Sequence, residues 1–152
     1  MTDRLIAIVI PFYQREAGIL SRALESVAAQ DLPDGVCLRL YIVDDASPYP
    51  AELELADWED RLDIVTSRQA NGGPGSARNT GLDLVESHGD SSFVAFLDSD
   101  DIWSPRHLRD ALKALDAGYD FYSCDNTRPG VFDLFSDCLL YTSDAADEHR
   151  DV

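Results

Sequence analysis

Residues 93–101 read Phe-Val-Ala-Phe-Leu-Asp-Ser-Asp-Asp, an apolar run that ends in three carboxylates. The apolar part predicts a buried strand over Phe93–Leu97. Asp98, Asp100 and Asp101 would repel one another when ionised, and a hard divalent cation among their oxygens relieves that repulsion. The cluster is therefore a candidate metal site, and the alternative is an acidic turn that caps the next helix.

Further apolar runs alternate with amphipathic segments along the chain. Leu5–Ile10 and Leu40–Val43 predict strands covered on both faces, and apolar positions at four-residue intervals predict a helix over 19–28. The other predicted elements are an acidic helix near 51–58, a strand at 62–66, helices from Pro74 or Gly75 to Val85 and from the N-cap Ser104 to Gly118, and a fifth strand at 121–124. This alternation predicts an α/β fold in which helices cover both faces of a mainly parallel sheet.

The composition narrows the class of protein. A chain of 152 residues can form one sizeable domain, and a net charge of −17 disfavours binding to nucleic acid and anionic lipid. Cys37, Cys124 and Cys138 follow neither a metal-ligand nor a disulfide spacing. The sequence contains no apolar stretch of membrane-span length and no signal-peptide pattern. It therefore predicts a cytoplasmic protein with reduced thiols.

Polar turns follow each of the first four predicted strands. Carboxyl ends of parallel strands lie at one edge of a sheet, where ligands bind. The sequence therefore predicts a ligand site, rather than solvated loops, that is formed by residues 11–13, 44–47, 71–78 and 98–101.

The first two turns carry groups that suit a nucleobase or a ribose. The ring of Tyr13 can stack on a base beside the stiff backbone at Pro11, and Asp44 and Asp45 can accept hydrogen bonds from an imide nitrogen or from hydroxyls. Simpler interpretations stay open. Tyr13 could be a half-buried loop residue, and the two aspartates could form a turn or cap a helix with Ser47.

The third turn is rich in glycine and precedes a predicted helix. It reads Asn-Gly-Gly-Pro-Gly-Ser-Ala-Arg-Asn at 71–79. Gly72 and Gly73 allow close backbone approach at a helix N-terminus, so a phosphate cradle is one interpretation, although the spacing matches neither the P-loop nor the dinucleotide fingerprint. Arg78 lies in the first predicted helical turn, where the macrodipole disfavours a cation. A bound anion or a salt bridge to a nearby aspartate would compensate its charge.

Four motifs together resemble those of family 2 glycosyltransferases, in that family's order and approximate spacing. They are Val-Ile-Pro-Phe-Tyr at 9–13, Val-Asp-Asp-Ala-Ser at 43–47, Asn-Gly-Gly-Pro-Gly-Ser-Ala-Arg-Asn-Thr-Gly-Leu at 71–82, and Phe-Leu-Asp-Ser-Asp-Asp-Ile-Trp at 96–103. The resemblance implies a GT-A, Rossmann-like fold and inverting transfer from a nucleotide-diphosphate sugar, usually a uridine one, to a saccharide or lipid-linked acceptor. It also implies a divalent cation, Mn²⁺ or Mg²⁺. A peripheral position of the full-length protein at the inner membrane face is left open.

The resemblance also implies a set of site residues. The nucleotide-sugar-binding residues would be Pro11, Tyr13, Asp44, Asp45, Gly72, Gly73, Arg78 and Asp98. The metal ligands would be Asp98, Asp100 and Asp101. Within these sets, Tyr13 would line the base pocket, Asp45 would contact the base, and Asp98 would contact the ribose or the sugar.

The implied mechanism also needs a base, a carboxylate that takes the proton of the acceptor hydroxyl. The family's base motif lies downstream of the acidic turn and has no counterpart before the chain ends. Asp125 and Asp133 lack the family's sequence context, so the base stays unassigned. A noncatalytic nucleotide-sugar-binding module is therefore an alternative. A magnesium-binding receiver-like signalling domain is another, although Lys113 lies inside a predicted helix and not after the last strand.

The C-terminal segment has a separate interpretation. Residues 138–148, Cys-Leu-Leu-Tyr-Thr-Ser-Asp-Ala-Ala-Asp-Glu, resemble a translated transposase adapter used in preparing sequencing libraries. The predicted organisation is a truncated, donor-binding part of a glycosyltransferase domain at 1–137, followed by a non-native tail at 138–152 that packs against nothing specific. A natural acidic linker is the alternative.

Overall fold

The computed structural model describes residues 3–124 and 139–141, and the chain forms two compact units, residues 1–105 and 106–152. The first unit contains β1 (Arg4–Phe12), α1 (Ile19–Ala28), β2 (Val36–Asp44), α2 (Glu52–Leu55), β3 (Asp63–Arg68), α3 (Gly73–His88) and β4 (Phe93–Phe96). Its four strands are all parallel, in the order β3-β2-β1-β4. The predicted α/β fold with a parallel sheet is confirmed.

Strand β1 extends two residues further than its sequence predicts. Pro11 and Phe12 were expected in the turn, but they pair with Val43 and Asp44 of β2. A proline can occupy this inner strand because residues 9 and 11 direct their main-chain groups to the same side, towards β4. The carbonyl of Val9 already accepts from Leu97, just beyond the end of β4. Pro11 has no N–H for the next bond of that ladder, and the pairing of β1 with β4 ends at Val9 and Phe96, so the proline lies where the ladder stops.

Helices lie on both faces of the sheet. On one face, α3 contacts β1 and β2, and the buried residues Ala7, Val9, Tyr41 and Val85 form a shared core cluster. Right-handed crossovers place α1 and α2, which lie before and after β2, on the opposite face. The inward stripe of α1, with Leu20, Leu24 and Val27, is buried there. This arrangement leaves the carboxyl ends of the strands free to form a site.

The expectation that β4 is covered on both faces is wrong. Val94 and Phe96 are 41% and 47% exposed, and the strand alternates between partly buried and exposed residues. The physical reason is topology, because β4 is an edge strand and α3 covers β1 and β2 on the face that Val94 and Phe96 share. An apolar run alone cannot distinguish an inner strand from an edge strand.

The second unit contains α4 (His107–Asp116), β5 (Phe121–Ser123) and β6 (Leu139–Tyr141). Helix α4 begins after Arg106 and not after Ser104. Its last residue is Asp116, and Gly118, just after the C-cap Ala117, has a φ of 98° that favours glycine. Within this unit Cys124 Sγ lies 3.2 Å from His107 Nδ1.

The predicted fifth strand does not join the parallel sheet. Instead β5 pairs antiparallel with β6. For residues 139–141 this pairing contradicts the expectation of a tail that packs against nothing, whereas residues 138 and 142–152 lie outside the described residues. No helix in the described part of the chain is long and apolar enough to cross a membrane.

Candidate functional site at the carboxyl ends of the strands

The strand order creates a crevice beside β1. From β1 the chain moves outward through β2 and β3, and then it returns to β4 on the other side of β1. Ligands of open parallel sheets bind at such a reversal, beyond the carboxyl ends of the strands. Because the four strands are parallel, their polar turns meet at this one edge, as the sequence predicts.

Asp45 is the centre of a hydrogen-bond network at this edge. Its Oδ1 accepts from Gln69 Nε2 and from the backbone N–H of Gly72, and its Oδ2 accepts from the N–H of Gly73, each over 2.8 Å. The residue is 3% exposed. Burial raises the pKa of Asp45, but the hydrogen bonds from Gly72, Gln69 and Gly73 together outweigh it and leave the pKa below its ordinary value.

The glycine turn is closed by Asp45. The two N–H groups that a phosphate cradle would use, those of Gly72 and Gly73, both donate to its carboxylate. A Cβ on Gly72 would lie 2.6 Å from Ser76 Oγ, and Gly73 has a φ of 86°. Both glycines are therefore required by the turn itself. Their direct contact with a nucleotide stays a prediction.

Gln69 is a site residue that the sequence reasoning missed. Besides Asp45, its Nε2 reaches Ser76 Oγ over 3.2 Å, and its Oε1 accepts from Thr80 Oγ1 over 2.5 Å. It thereby joins the turn after β2 to α3. The only signal in the sequence was its position, just after a predicted strand and two residues before Asn71.

Asp44 has a structural role in the turn after β2. Its Oδ1 accepts from the N–H of Ser47 over 2.7 Å, and its Oδ2 accepts from the N–H of Ala51 over 3.0 Å and from Arg68 Nη1 over 2.8 Å. These bonds agree with the turn-and-cap interpretation that the sequence left open. Arg68 was missed because nothing in its sequence context separates it from a surface arginine. A nucleotide contact by Asp44 stays a prediction.

Arg78 and Asp98 form an ion pair across the site. Arg78 Nη2 donates to Asp98 Oδ1 over 2.6 Å, and the two side chains are 35% and 47% exposed. Because α3 begins at Gly73, Arg78 lies in its second turn and not in the first turn as predicted. The salt bridge was one of the two predicted ways to compensate its charge, and the exposed surface of both groups leaves them accessible to a ligand.

The acidic turn presents its carboxylates to solvent. The N–H of Asp101 donates to the carbonyl of Asp98 over 3.0 Å, which closes the turn, and Ser99 is buried while Asp100 is exposed. Among the residues that the structure describes, no three carboxylate, histidine or cysteine side chains converge to hold a metal alone. An exposed carboxylate at this edge suits a cation whose coordination is completed by phosphate oxygens, as is usual for Mg²⁺.

Tyr13 and Pro11 flank the start of the crevice. Pro11 is buried within β1, and Tyr13 is 44% exposed just beyond it. The ring of Tyr13 is therefore available for stacking, while Pro11 supports the backbone beneath it. The two carboxylates considered as a base, Asp125 and Asp133, lie outside the described residues.

Sequence comparisons agree with this architecture. The profile of glycosyl transferase family 2 matches residues 7–135. The chain is 54% identical over 112 residues to the succinoglycan biosynthesis protein ExoW of Rhizobium meliloti (strain 1021). The aligned region covers 72% of this chain and 34% of ExoW. The chain is also 36% identical over 109 residues to the UDP-Glc:alpha-D-GlcNAc-diphosphoundecaprenol beta-1,3-glucosyltransferase WfgD of Escherichia coli. That aligned region covers 71% of this chain and 40% of WfgD. The chain thus spans between about a third and two-fifths of these curated relatives.

Solved structures show the same fold. Staphylococcus aureus TarS 1-349 in complex with UDP-GlcNAc matches with a TM-score of 0.63 and 29% identity, over 77% of this chain and 32% of TarS. The mannosyltransferase PcManGT of Pyrobaculum calidifontis, in complex with GDP-Man and Mn²⁺, matches with a TM-score of 0.67 and 25% identity, over 82% of this chain and 36% of that chain. Both are glycosyltransferases of GT-A fold. The chain belongs to glycosyl transferase family 2.

Proposed function

We propose that this chain binds a nucleotide-diphosphate sugar, a UDP-sugar in the first instance, with a divalent cation, as the donor half of an inverting glycosyltransferase. The observation that carries the proposal is the convergence of Tyr13, the Arg78–Asp98 pair and Asp100 at one edge of a parallel sheet. The names of the relatives support it, because WfgD uses UDP-Glc and TarS was solved with UDP-GlcNAc.

The base and ribose would lie between the first two turns. Tyr13 offers an accessible aromatic face, and Asp45 offers a carboxylate that its hydrogen bonds keep ionised near neutral pH. Because Gly72, Gly73 and Gln69 already donate to that carboxylate, a base would bind to its remaining lone pairs or displace one of these donors. Pro11 and Asp44 would hold the backbone beside this region in place.

The diphosphate and cation would lie at the acidic turn. Asp100 and Asp101 would coordinate the cation, and Asp98 would contact the ribose or sugar while it holds Arg78 near the nucleotide. A Mn²⁺ or Mg²⁺ ion bound there supplies positive charge that stabilises the departing nucleoside diphosphate. The chain's own carboxylates orient the donor so that its anomeric carbon faces the acceptor hydroxyl.

The acceptor side of the reaction is proposed from the relatives only. WfgD acts on a diphosphoundecaprenol-linked sugar, and TarS of Staphylococcus aureus is named a poly(ribitol-phosphate) beta-N-acetylglucosaminyltransferase. We propose a saccharide or lipid-linked acceptor for the whole protein, with a carboxylate base that is still unassigned. The alternative, a noncatalytic nucleotide-sugar-binding module, shares the same donor site and differs only in lacking that base.

Calorimetric titration of the chain with UDP tests the proposal. We expect UDP to bind at least about tenfold more tightly in Mn²⁺ than in chelator, a difference of about 1.4 kcal/mol. Asp100→Ala should abolish most of that gain, whereas Asp83→Ala, which removes an exposed carboxylate on α3, should leave it unchanged. Equal UDP affinity with and without metal would refute the metal assignment, and a preference for GDP would refute the uridine donor.

A further inference from the structure

Gln14, the second residue after β1, joins the first turn of the site to the acidic turn. Its side-chain Nε2 donates to Ser99 Oγ over 3.0 Å, a hydrogen bond between residues that are 85 positions apart. Ser99 is 5% exposed and lies between the two carboxylates Asp98 and Asp100. The hydrogen bond therefore reaches the middle of the turn that is proposed to hold the cation.

The backbone of Gln14 is itself firmly held. Ser47 Oγ accepts from the N–H of Gln14 over 2.7 Å and donates to its carbonyl over 2.6 Å, and the same carbonyl accepts from the N–H of Tyr49 over 3.1 Å. Ser47 is 2% exposed, and Asp44 binds its N–H. The turn after β2 thus fixes Gln14, and Gln14 has its amide free to bind the acidic turn.

Within the acidic turn, Ser99 is the buried member. Asp100 is exposed, and Asp98 and Asp101 are partly exposed. Coordination of a divalent cation tolerates errors of only about 0.2 Å in ligand distance, so carboxylates on a surface turn need a fixed backbone beneath them. Residues behind the ligands usually supply that support.

We propose that Gln14 is a positioning residue for the metal-binding turn, acting through its hydrogen bond to Ser99. Gln14 does not touch the cation; it orients the turn from which Asp98 and Asp100 project. The inference rests on the proposed function, since it deepens the role of the same acidic turn. It assigns Gln14 to the metal-dependent part of nucleotide binding and not to the binding of the base.

The test compares UDP affinity in Mn²⁺ and in chelator for Gln14→Leu, Ser99→Ala and the double variant, using calorimetry on the 152-residue chain. One hydrogen bond contributes about 0.5–1.5 kcal/mol, so each single variant should lower the metal-dependent gain about two- to twelvefold. The double variant should lose no more than either single variant, because both remove the same bond. The metal-free UDP affinity should change less than twofold.

Two further variants separate positioning from general damage. Gln30→Leu removes a glutamine whose Nε2 donates to the carbonyls of Ser26 and Ser104, and it should keep the full gain. Gln14→Asn keeps the amide but shortens its reach, so it should behave like Gln14→Leu and serve in its place if the leucine variant fails to fold. Circular dichroism melting checks folding in every case.

Each failure has a distinct meaning. A full metal-dependent gain in folded Gln14→Leu and Gln14→Asn, or losses that add in the double variant, would overturn the positioning role while leaving the proposed function intact. Absence of any metal-dependent gain in the unsubstituted chain would overturn the metal assignment within the proposed function, and the role of Gln14 with it.

Discussion

At the scale of single residues, Asp45 shows how a charge can be buried at a functional edge. The carboxylate is 3% exposed and accepts three hydrogen bonds, two of them from the first amides of α3 and its cap. Those amides would otherwise lack partners at the helix N-terminus, so the same bonds satisfy both the helix and the charge. Asp45 is therefore a structural residue as well as a proposed ligand of the nucleotide.

We expect Asp45→Asn to destabilise the chain by about 2 kcal/mol or more at pH 7, because an amide replaces one acceptor oxygen with a donor that faces N–H groups. The pKa of Asp45 is lowered in the folded chain, so its contribution is complete above the ordinary carboxyl pKa of about 4 and is lost as pH falls through the lowered value. Urea denaturation at pH 7, 4 and 3 measures the difference.

Asp83→Asn is the matched control for that series, because Asp83 is exposed on α3. Its free energy of unfolding should follow that of the unsubstituted chain at every pH. A constant gap between Asp45→Asn and the unsubstituted chain down to pH 3 would show that the charge of Asp45 contributes nothing.

Ala46 is a second residue whose backbone conformation costs free energy in the folded chain. Its φ of 57° is left-handed, the only such value among the described residues other than glycine. Ala46→Gly should raise the free energy of unfolding by about 0.5–1 kcal/mol, since the strain of a Cβ in this conformation exceeds the extra entropy that glycine loses. The reference is Ala28→Gly at the exposed end of α1, which should lower stability by about as much. Destabilisation by Ala46→Gly in urea denaturation would contradict the strain argument.

At the scale of elements, α3 approaches the sheet closely enough to need a glycine. A Cβ on Gly81 would collide with the side chain of Val9 in β1, whereas a Cβ on Gly75 would meet nothing within 4 Å. Both glycines lie within the same helix, away from positive φ. The helix therefore contains one glycine that packing requires and one that it does not.

This contrast predicts opposite effects of the same substitution. Gly81→Ala should lower the free energy of unfolding by about 1–3 kcal/mol through overpacking against Val9. Gly75→Ala should raise it by about 0.5 kcal/mol through helix propensity. Thermal and urea denaturation of the two variants measure both changes in the free energy of unfolding. Equal changes would mean that α3 does not approach β1 closely at Gly81.

At the scale of the whole molecule, the four-stranded sheet is the stable centre of the first unit. β1 and β2 are inner strands whose residues from Ile6 and Leu40 onward are buried, while β3 and β4 form the edges. Edge strands pair on one side only and expose more of their backbone. Stability should therefore decrease from the middle of the sheet outward.

Hydrogen exchange should follow that order. We expect the amides of residues 6–10 and 40–43 to exchange most slowly, those of β3 and β4 faster, and those of the two-stranded β5–β6 sheet fastest, since an isolated pair of strands is marginal. Exchange followed by mass spectrometry reports each segment. Amides in β4 that outlast those in β1 would contradict the strand order.

The alternation of apolar strands with amphipathic helices determined the α/β class, because periodicity is a local property of the chain. The position of the polar turns at one edge followed from that class, since the residues after the carboxyl ends of parallel strands lie at the same edge of the sheet. The four motifs between Val9 and Trp103 also pointed to the family, because the local spacing of their residues is distinctive.

Tertiary structure alone decided which side chains meet. Gln14 and Gln69 have no sequence pattern of their own, and they join the candidate site only because Ser99 and Asp45 lie within hydrogen-bond reach after folding. The open face of β4 and the pairing of β5 with β6 were likewise beyond local inference. The physical reason is that hydrophobic periodicity specifies how much of a segment is buried, while hydrogen-bond partners far along the chain depend on strand order and on the space that packing leaves.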